Sequence, residues 1–466
     1  MKKHLPKFII LFTLFFPTLL SAQSTTNSDR AIPEKLEEYL QAAARMNRFN
    51  GTALIARKGK ILLQKGYGFR NVQSQTFNDT NSIYQLGSIT KTFTGAIILQ
   101  LQEEKKLSLD DKLSKYLPDY PNGDRITINH LFFHTSGIYD FKNLLYGPDS
   151  AKLTQPVSKE WLVAQFKDKP LTTKPGDDVQ YTNSGYFLLG LIVEKVTGKP
   201  FETAVRERFL TPLHLTRTGF DLRNLNDPGK TTGYTYWKDS ALVAAPLTDS
   251  TVGYAAGGMY STVGDLYRWS RVIQDRRMLK LQTWEAAFNP PKEGSWGYGW
   301  GISHFEKDKK RIKLIFQNGN LPGFATFFIQ SPVEDITLIL LANVDDVSDV
   351  TSLEPTVSDL INLLFDQPYQ LPKNRKAIPL SETALRQYVG SYQMTPERTM
   401  VLTLESGRLF LQVTGQAKFE VFAESETDFF LKAVEAQLTF QTDSAGNVSR
   451  VVIHQGGRDY SWKRLK

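Results

Sequence analysis

The spacing of apolar positions changes character several times along the chain, and each change predicts an element. After Met1-Lys2-Lys3, an apolar run from Phe8 to Leu20 is broken only by Thr13, Pro17 and Thr18 and is followed by Ser21-Ala22-Gln23. A basic start, a short apolar stretch and a small residue before the break predict a secretory signal peptide over 1–22, cleaved after Ala22. From Pro33 to Met46, Leu36, Leu40 and Ala43 share one helical face. Thr52 to Ala56 and Ile61 to Gln64 flank Arg57-Lys58-Gly59-Lys60 and predict a β-hairpin. A helical stripe of Phe93, Ile97, Ile98 and Leu101 begins at Ser88, and a second runs from about Ser184 to Thr197 and stops at Gly198. Thr262-Val263-Gly264-Asp265 has the form of a helix-capping box. Ile312 to Phe316, Ala325 to Gln330 and Ile336 to Ala342 predict strands, the first two joined around Gly319 and Pro322-Gly323. Helices and antiparallel hairpins in irregular alternation imply an α+β core over 32–366.

Pro368, Pro372 and Pro379 then mark a linker over 367–380. Beyond it the period falls to two, in seven segments: Leu402/Leu404, Leu409/Leu411/Val413, Phe419/Val421, Phe429/Leu431, Leu438/Phe440, Val451/Ile453 and Tyr460/Trp462. Residues 381–466 are therefore expected to form a small all-β meander or barrel.

Composition narrows the chemistry. The 466 residues include no cysteine, which excludes disulfides, thiolate metal sites and a cysteine nucleophile. Packing alone must hold the fold, and 41% hydrophobic residues suffice for that. The formal charge of +8 falls to +5 when Lys2, Lys3 and Lys7 leave with the signal, and the basic residues are scattered, so nucleic acid is not an expected partner. After signal cleavage no stretch is long enough for a membrane span. The expected location is periplasmic or extracellular, with the oligomeric state left open.

Three short segments can carry chemistry. In Ser88-Ile89-Thr90-Lys91 a hydroxyl and an amine stand three residues apart on a helical face, so the amine can act as base for the hydroxyl if burial lowers its affinity for a proton. Alone, this pattern reads as an N-cap beside a solvated lysine. In Tyr181-Thr182-Asn183 an extended backbone would turn the phenol and the amide to one side. The phenol can relay a proton and the amide can orient the lysine. In Gln317-Asn318-Gly319-Asn320 the glycine permits close approach of a substrate, and the Asn320 N–H can serve an oxyanion. An ordinary hairpin turn is the alternative for that segment. His130 and His134 are four apart, but no glutamate follows His130 and His134 opens the Thr135-Ser136-Gly137 turn, so they are read as loop histidines and no metal or other cofactor is expected.

The order Ser-x-x-Lys, Tyr-x-Asn and a small-residue strand motif resembles the serine β-lactamases and penicillin-binding proteins, and within them the class C branch. The phrases that carry the resemblance are Gln85 to Thr94, His130 to Gly137, Tyr181 to Tyr186 and Gly257 to Thr262. It spans about Ile32 to Phe365, and the tail resembles the lipocalin-like domains appended to such proteins. The resemblance implies a β-lactamase/transpeptidase-like core, an antiparallel sheet flanked by helices with a helical subdomain. It also implies an acyl-enzyme on Ser88 with Lys91 and Tyr181 as catalytic partners, and a small-molecule or peptide substrate held by Asn183, Gln317, Gly319 and Asn320. Gln317 departs from the pattern, because β-lactamases carry a lysine there that faces the carboxylate of the antibiotic. Two readings follow: an exported hydrolase of esters or amides, D-amino-acid peptides included, or a binding protein for penicillin or cell-wall fragments that turns over slowly or not at all.

Overall fold

The computed structural model describes residues 32–465 apart from 143–149, 238–240, 291–295, 346–352, 374, 433–435 and 456–457. The expected signal peptide lies outside the described residues. The elements that position the site are, in chain order, α1 (Ile32–Arg45), β1 (Gly51–Arg57), β2 (Lys60–Tyr67), α2 (Thr90–Glu103), α3 (Asn183–Thr197), α4 (Ser250–Gly257), α5 (Val263–Gln274), β3 (Gly301–Lys307), β4 (Lys310–Leu321), β5 (Phe324–Ser331), β6 (Ile336–Ala342) and α6 (Glu354–Leu364). Six strands form one sheet in the order β2-β1-β6-β5-β4-β3, every neighbouring pair antiparallel. The first hairpin therefore pairs with the last strand, Gly51 opposite Ala342 and Arg57 opposite Ile336.

Both faces of this sheet are covered. On β1, Leu54 and Ala56 join one core while Ala53 and Ile55 join another; on β6, Ile339 and Leu341 divide from Leu338, Leu340 and Ala342 in the same way. A strand buried on both faces has no polar side to alternate with, which is why Leu338 to Leu341 reads as an unbroken apolar run. Each of those four is fully buried, and burying such a side chain stabilises the fold by about 1.5–3 kcal/mol. Helices α1 and α6 cover one face, joined by the Tyr39 hydroxyl donating to Asp359 at 2.9 Å. Helices α2 and α5 cover the other, where Phe93 stacks on Trp269 with ring centroids 4.4 Å apart. Among the described residues no helix is long and apolar enough to cross a membrane.

The predicted helix starts need one refinement. Ser88 sits in a 3₁₀ turn, Gly87–Ile89, that runs into α2 rather than serving as its N-cap. Thr182 caps α3 by accepting from the Ser184 N–H, and Gly198 ends that helix with φ 67°. Thr262 caps α5 by accepting from the Asp265 N–H at 3.2 Å. The strand expected to end at Phe316 continues as β4 to Leu321, because its pairing with β5 runs from Ile315↔Gln330 to Leu321↔Phe324.

The C-terminal strands, β7 (Gly390–Thr395) through β14 (Arg458–Arg464), form a closed barrel of eight. It closes through Tyr392↔Arg464 and Gln393↔Lys463. The sequence pattern resolved only seven of these strands; in β7 Tyr392 is the one buried side chain, too little for an alternation to register. Tyr392, Phe429, Phe440 and Trp462 pack inside with the aliphatic residues of the other strands. Ahead of the barrel, the Ile378 N–H donates to the Ala423 carbonyl at 2.8 Å, and Arg375 pairs with Glu424.

Candidate active site

Four elements meet around Ser88. The amine of Lys91, one turn along in α2, lies 3.0 Å from the Ser88 Oγ. The Tyr181 hydroxyl donates to the same oxygen at 2.8 Å. Tyr181 precedes α3, with Thr182 extended at φ −140°, ψ 131°, and Asn183 is the first helical residue. The extended step turns the Tyr181 phenol to Ser88 and the Asn183 amide to Lys91. Lys91 Nζ also donates to Asn183 Oδ1 and to the Ala256 carbonyl, each at 2.8 Å.

The Ala256 carbonyl is aimed by an unusual stretch of backbone. Tyr254, inside α4, has φ 41° and ψ −128°, a region costly for a side chain of its size. After that break, the Ala255 carbonyl accepts from Thr94 Oγ1 at 2.7 Å while the Ala256 carbonyl reaches Lys91. Nothing in side-chain spacing could have revealed this partner, because it belongs to the main chain.

The lysine is fully buried, and burial lowers its pKa from the usual amine range to about 7, against the opposing pull of Asp140. The rings of Tyr181 and Tyr186 lie 5.0 and 5.3 Å from the amine. Burial pushes the Tyr181 phenol upward, so it stays protonated and can donate. His134 supports this wall. Its Nδ1 accepts from the Thr182 N–H at 3.1 Å, and its ring lies 4.3 Å from Tyr181. Burial, and then the Lys91 charge, hold the imidazole neutral. His130 instead closes a capping box with Thr127 at 3.1 Å. Among the described residues no group of three or more His, Asp or Glu could hold a metal.

The strand motif closes the site from the sheet side. Pairing between β3 and β4 ends at Gly301↔Phe316, and beyond it the outer edge of β4 meets the serine turn. A Cβ on Gly319 would lie 2.0 Å from the Leu86 carbonyl oxygen and 2.9 Å from the Ser88 nitrogen; one on Gly87, where φ is 55°, would lie 3.1 Å from the Asn320 nitrogen. Thr326 on β5 fastens the contact, donating to the Leu86 carbonyl at 2.7 Å. With Pro322-Gly323 as a two-residue turn closing Leu321↔Phe324, Asn320↔Ala325 falls at the alternate rung of the ladder, which turns the Asn320 N–H to the outer edge. Gln317 is fully buried; its Nε2 donates to the Gly299 carbonyl at 3.2 Å.

Residues 36–359 match the β-lactamase family. The chain belongs to the β-lactamase family. Residues 374–464, which include the barrel, match a domain family of unknown function, DUF3471. Among β-lactamase relatives, penicillin-binding protein 4* of Bacillus subtilis is 28% identical over 459 residues, covering 92% of this chain and 98% of that protein. The octameric penicillin-binding protein homologue from Pyrococcus abyssi shares the fold with a TM-score of 0.65 at 24% identity, over 92% of this chain and 99% of that one. The D-amino acid amidase from Ochrobactrum anthropi SV3, solved in complex with D-phenylalanine, shares it with a TM-score of 0.62 at 18% identity, over 72% and 98%. The β-lactamase family has serine hydrolases among its members, and the fold expected from the sequence is the fold of this chain.

The structure brings together Ser88, Lys91, Tyr181, Asn183, Gly319 and Asn320, with Gln317 buried on the same strand as Gly319 and Asn320. Sequence reasoning missed three groups at the same site: the Ala256 carbonyl, the carboxylate of Asp140, and Trp296, whose ring lies 4.9 Å from Tyr181. Asp140 and Trp296 belong to no periodic pattern. Asp140 stands close behind the His134 to Gly137 phrase, which was the one available signal.

Proposed function

We propose that this protein is an exported serine hydrolase that cleaves esters or amides through an acyl-enzyme on Ser88. The observation that carries the reading is the Ser88 Oγ, set 3.0 Å from a buried amine and 2.8 Å from a protonated phenol. A neutral amine has two hydrogens and one lone pair. Asn183 Oδ1 and the Ala256 carbonyl can only accept, so they take both hydrogens and leave the lone pair facing the Ser88 hydroxyl. Ser88 attacks the substrate carbonyl as its proton passes to Lys91. The N–H groups of Ser88 and Asn320 receive the oxyanion, and the proton taken up by Lys91 is relayed through the Tyr181 hydroxyl to the leaving group, which returns both side chains to their starting states. Water then attacks the acyl-enzyme and restores the serine.

For the substrate we propose an acyl compound with no free carboxylate opposite position 317. A charge-assisted hydrogen bond is worth about 1.5–3 kcal/mol against about 0.5–1.5 for a neutral one. Gln317 is neutral and directed to Gly299, which supports an ester or amide over an anionic β-lactam. The amidase relationship in fold makes D-amino-acid amides a natural class to include. The same neutral residue favours a second reading, a binding protein for penicillin or cell-wall fragments whose acyl-enzyme is long-lived.

Intact-protein mass, followed in time with a nitrophenyl ester, a D-amino-acid amide and a penicillin, tests both readings. Transient adducts with turnover of an ester or amide are expected. A lasting penicillin adduct without turnover would favour the binding protein. Identical masses and rates for wild type and Ser88→Ala would remove Ser88 as nucleophile.

A further inference from the structure

The Asn183 amide serves Lys91 only if its oxygen, and not its nitrogen, faces the amine. Asp140 enforces that choice. Its carboxylate accepts from the Asn183 backbone N–H at 3.1 Å and faces Asn183 Nδ2 at 3.4 and 3.5 Å. An amide turned the other way would set its oxygen against a carboxylate and its N–H₂ against the amine. The segment bearing Asp140 is fixed to the start of α3, because Ser184 Oγ donates to the Tyr139 carbonyl at 2.7 Å and accepts from the Phe141 N–H at 3.1 Å.

Resting on the proposed function, we infer that Asp140 is a positioning residue: it orients Asn183 toward Lys91 and supplies a negative charge that raises the pH at which Lys91 becomes a base. Of the groups that face Lys91, Tyr181 and Tyr186 remain protonated and His134 remains neutral. Asp140 is thus the anion acting on the amine, and it opposes the effect of burial. Its own surroundings add one cation, Lys142, whose amine lies 3.9 Å away and whose side chain is 55% exposed. Burial raises the Asp140 carboxyl, and donation from the Lys142 N–H comes first among the influences that lower it again.

A carboxylate at the first turn of α3 would stabilise that helix whatever the chemistry, so the test must read charge rather than fold. The probe is a fluorophosphonate. Ser88 Oγ forms the bond to phosphorus, fluoride leaves, and the serine proton passes to Lys91. The rate of this modification is followed by intact mass between about pH 5 and pH 9 for wild type, Asp140→Asn and Lys142→Ala, with thermal midpoints measured alongside. Asparagine keeps an acceptor for the Asn183 N–H and loses the charge. Its acid midpoint is expected to fall by roughly one pH unit, since a nearby opposite charge shifts a titration on that scale. Lys142→Ala removes a competing cation, and its midpoint is expected to rise. A folded Asp140→Asn with a slower rate at every pH and an unmoved midpoint would overturn the inference. Should Asp140→Asn not fold, an unmoved midpoint in Lys142→Ala overturns it. Wild type that is never modified at Ser88 would instead overturn the nucleophile, and this inference with it.

Discussion

Gly319 and Ser88 are in backbone contact: a single carbon added to the glycine would stand 2.9 Å from the serine nitrogen and 2.0 Å from the oxygen of Leu86. The sheet and the Ser88 turn are therefore locked by main-chain atoms that cannot swing aside. Gly319→Ala is expected to lose about 1–3 kcal/mol of stability, the range for forcing an atom into a packed site. It should also lose about 10²–10³-fold in acylation rate, the scale of removing one oxyanion donor. Chemical denaturation and stopped-flow acylation check the two effects separately; normal acylation would show that the contact does not shape the oxyanion site.

Lys91 gives the protein a pH signature. With its amine titrating near 7, the acylation rate should rise through that pH and level off above it. Lys91→Met removes the proposed base, for an expected loss of about 10²–10⁴-fold. The folded-state pKa lies below the unfolded value near 10.5, so wild-type stability should rise with pH between those two values, where the unfolded chain binds more protons. The stability difference, mutant minus wild type, should accordingly be larger at about pH 6 than at about pH 9 when measured by urea titration. A difference independent of pH would contradict the depressed amine.

Tyr181→Phe deletes the hydroxyl 2.8 Å from Ser88 and keeps the ring that packs on His134 and Trp296. Stability should change little, while turnover of substrates with poor leaving groups falls about 10²–10⁴-fold. Activated nitrophenyl esters, whose leaving group needs no proton, should suffer less. Equal losses on both classes would argue against a proton relay.

Gln317→Lys introduces a cation at position 317. Acylation by a penicillin should improve about tenfold relative to a neutral ester, as expected for a gain near 1.4 kcal/mol from charge assistance. Acylation rates of the two substrates measured side by side decide it, and no relative gain would remove the carboxylate argument.

Much of this was legible in the sequence because the interactions are local. Ser88 and Lys91 are one helical turn apart, and Tyr181 and Asn183 flank an extended residue, so backbone geometry alone brings each pair together. What escaped was long-range or carried by the main chain. Asp140 reaches Asn183 from 43 residues away, and the Ala256 carbonyl is aimed by the bent backbone at Tyr254. The eighth barrel strand escaped for a different reason, since its single inward Tyr392 sets no period. Gln317 was legible as an identity and not as a position, because only the fold shows it buried against Gly299.

Helices α1 and α6, the first and last of the β-lactamase domain, lie together on the face of the sheet away from α2 and its lysine. A tether joined ahead of α1 leaves from the face of the sheet opposite α2. The protein could be fixed to a bead or an electrode by the start of α1, with α2 and Lys91 on the far face of the sheet.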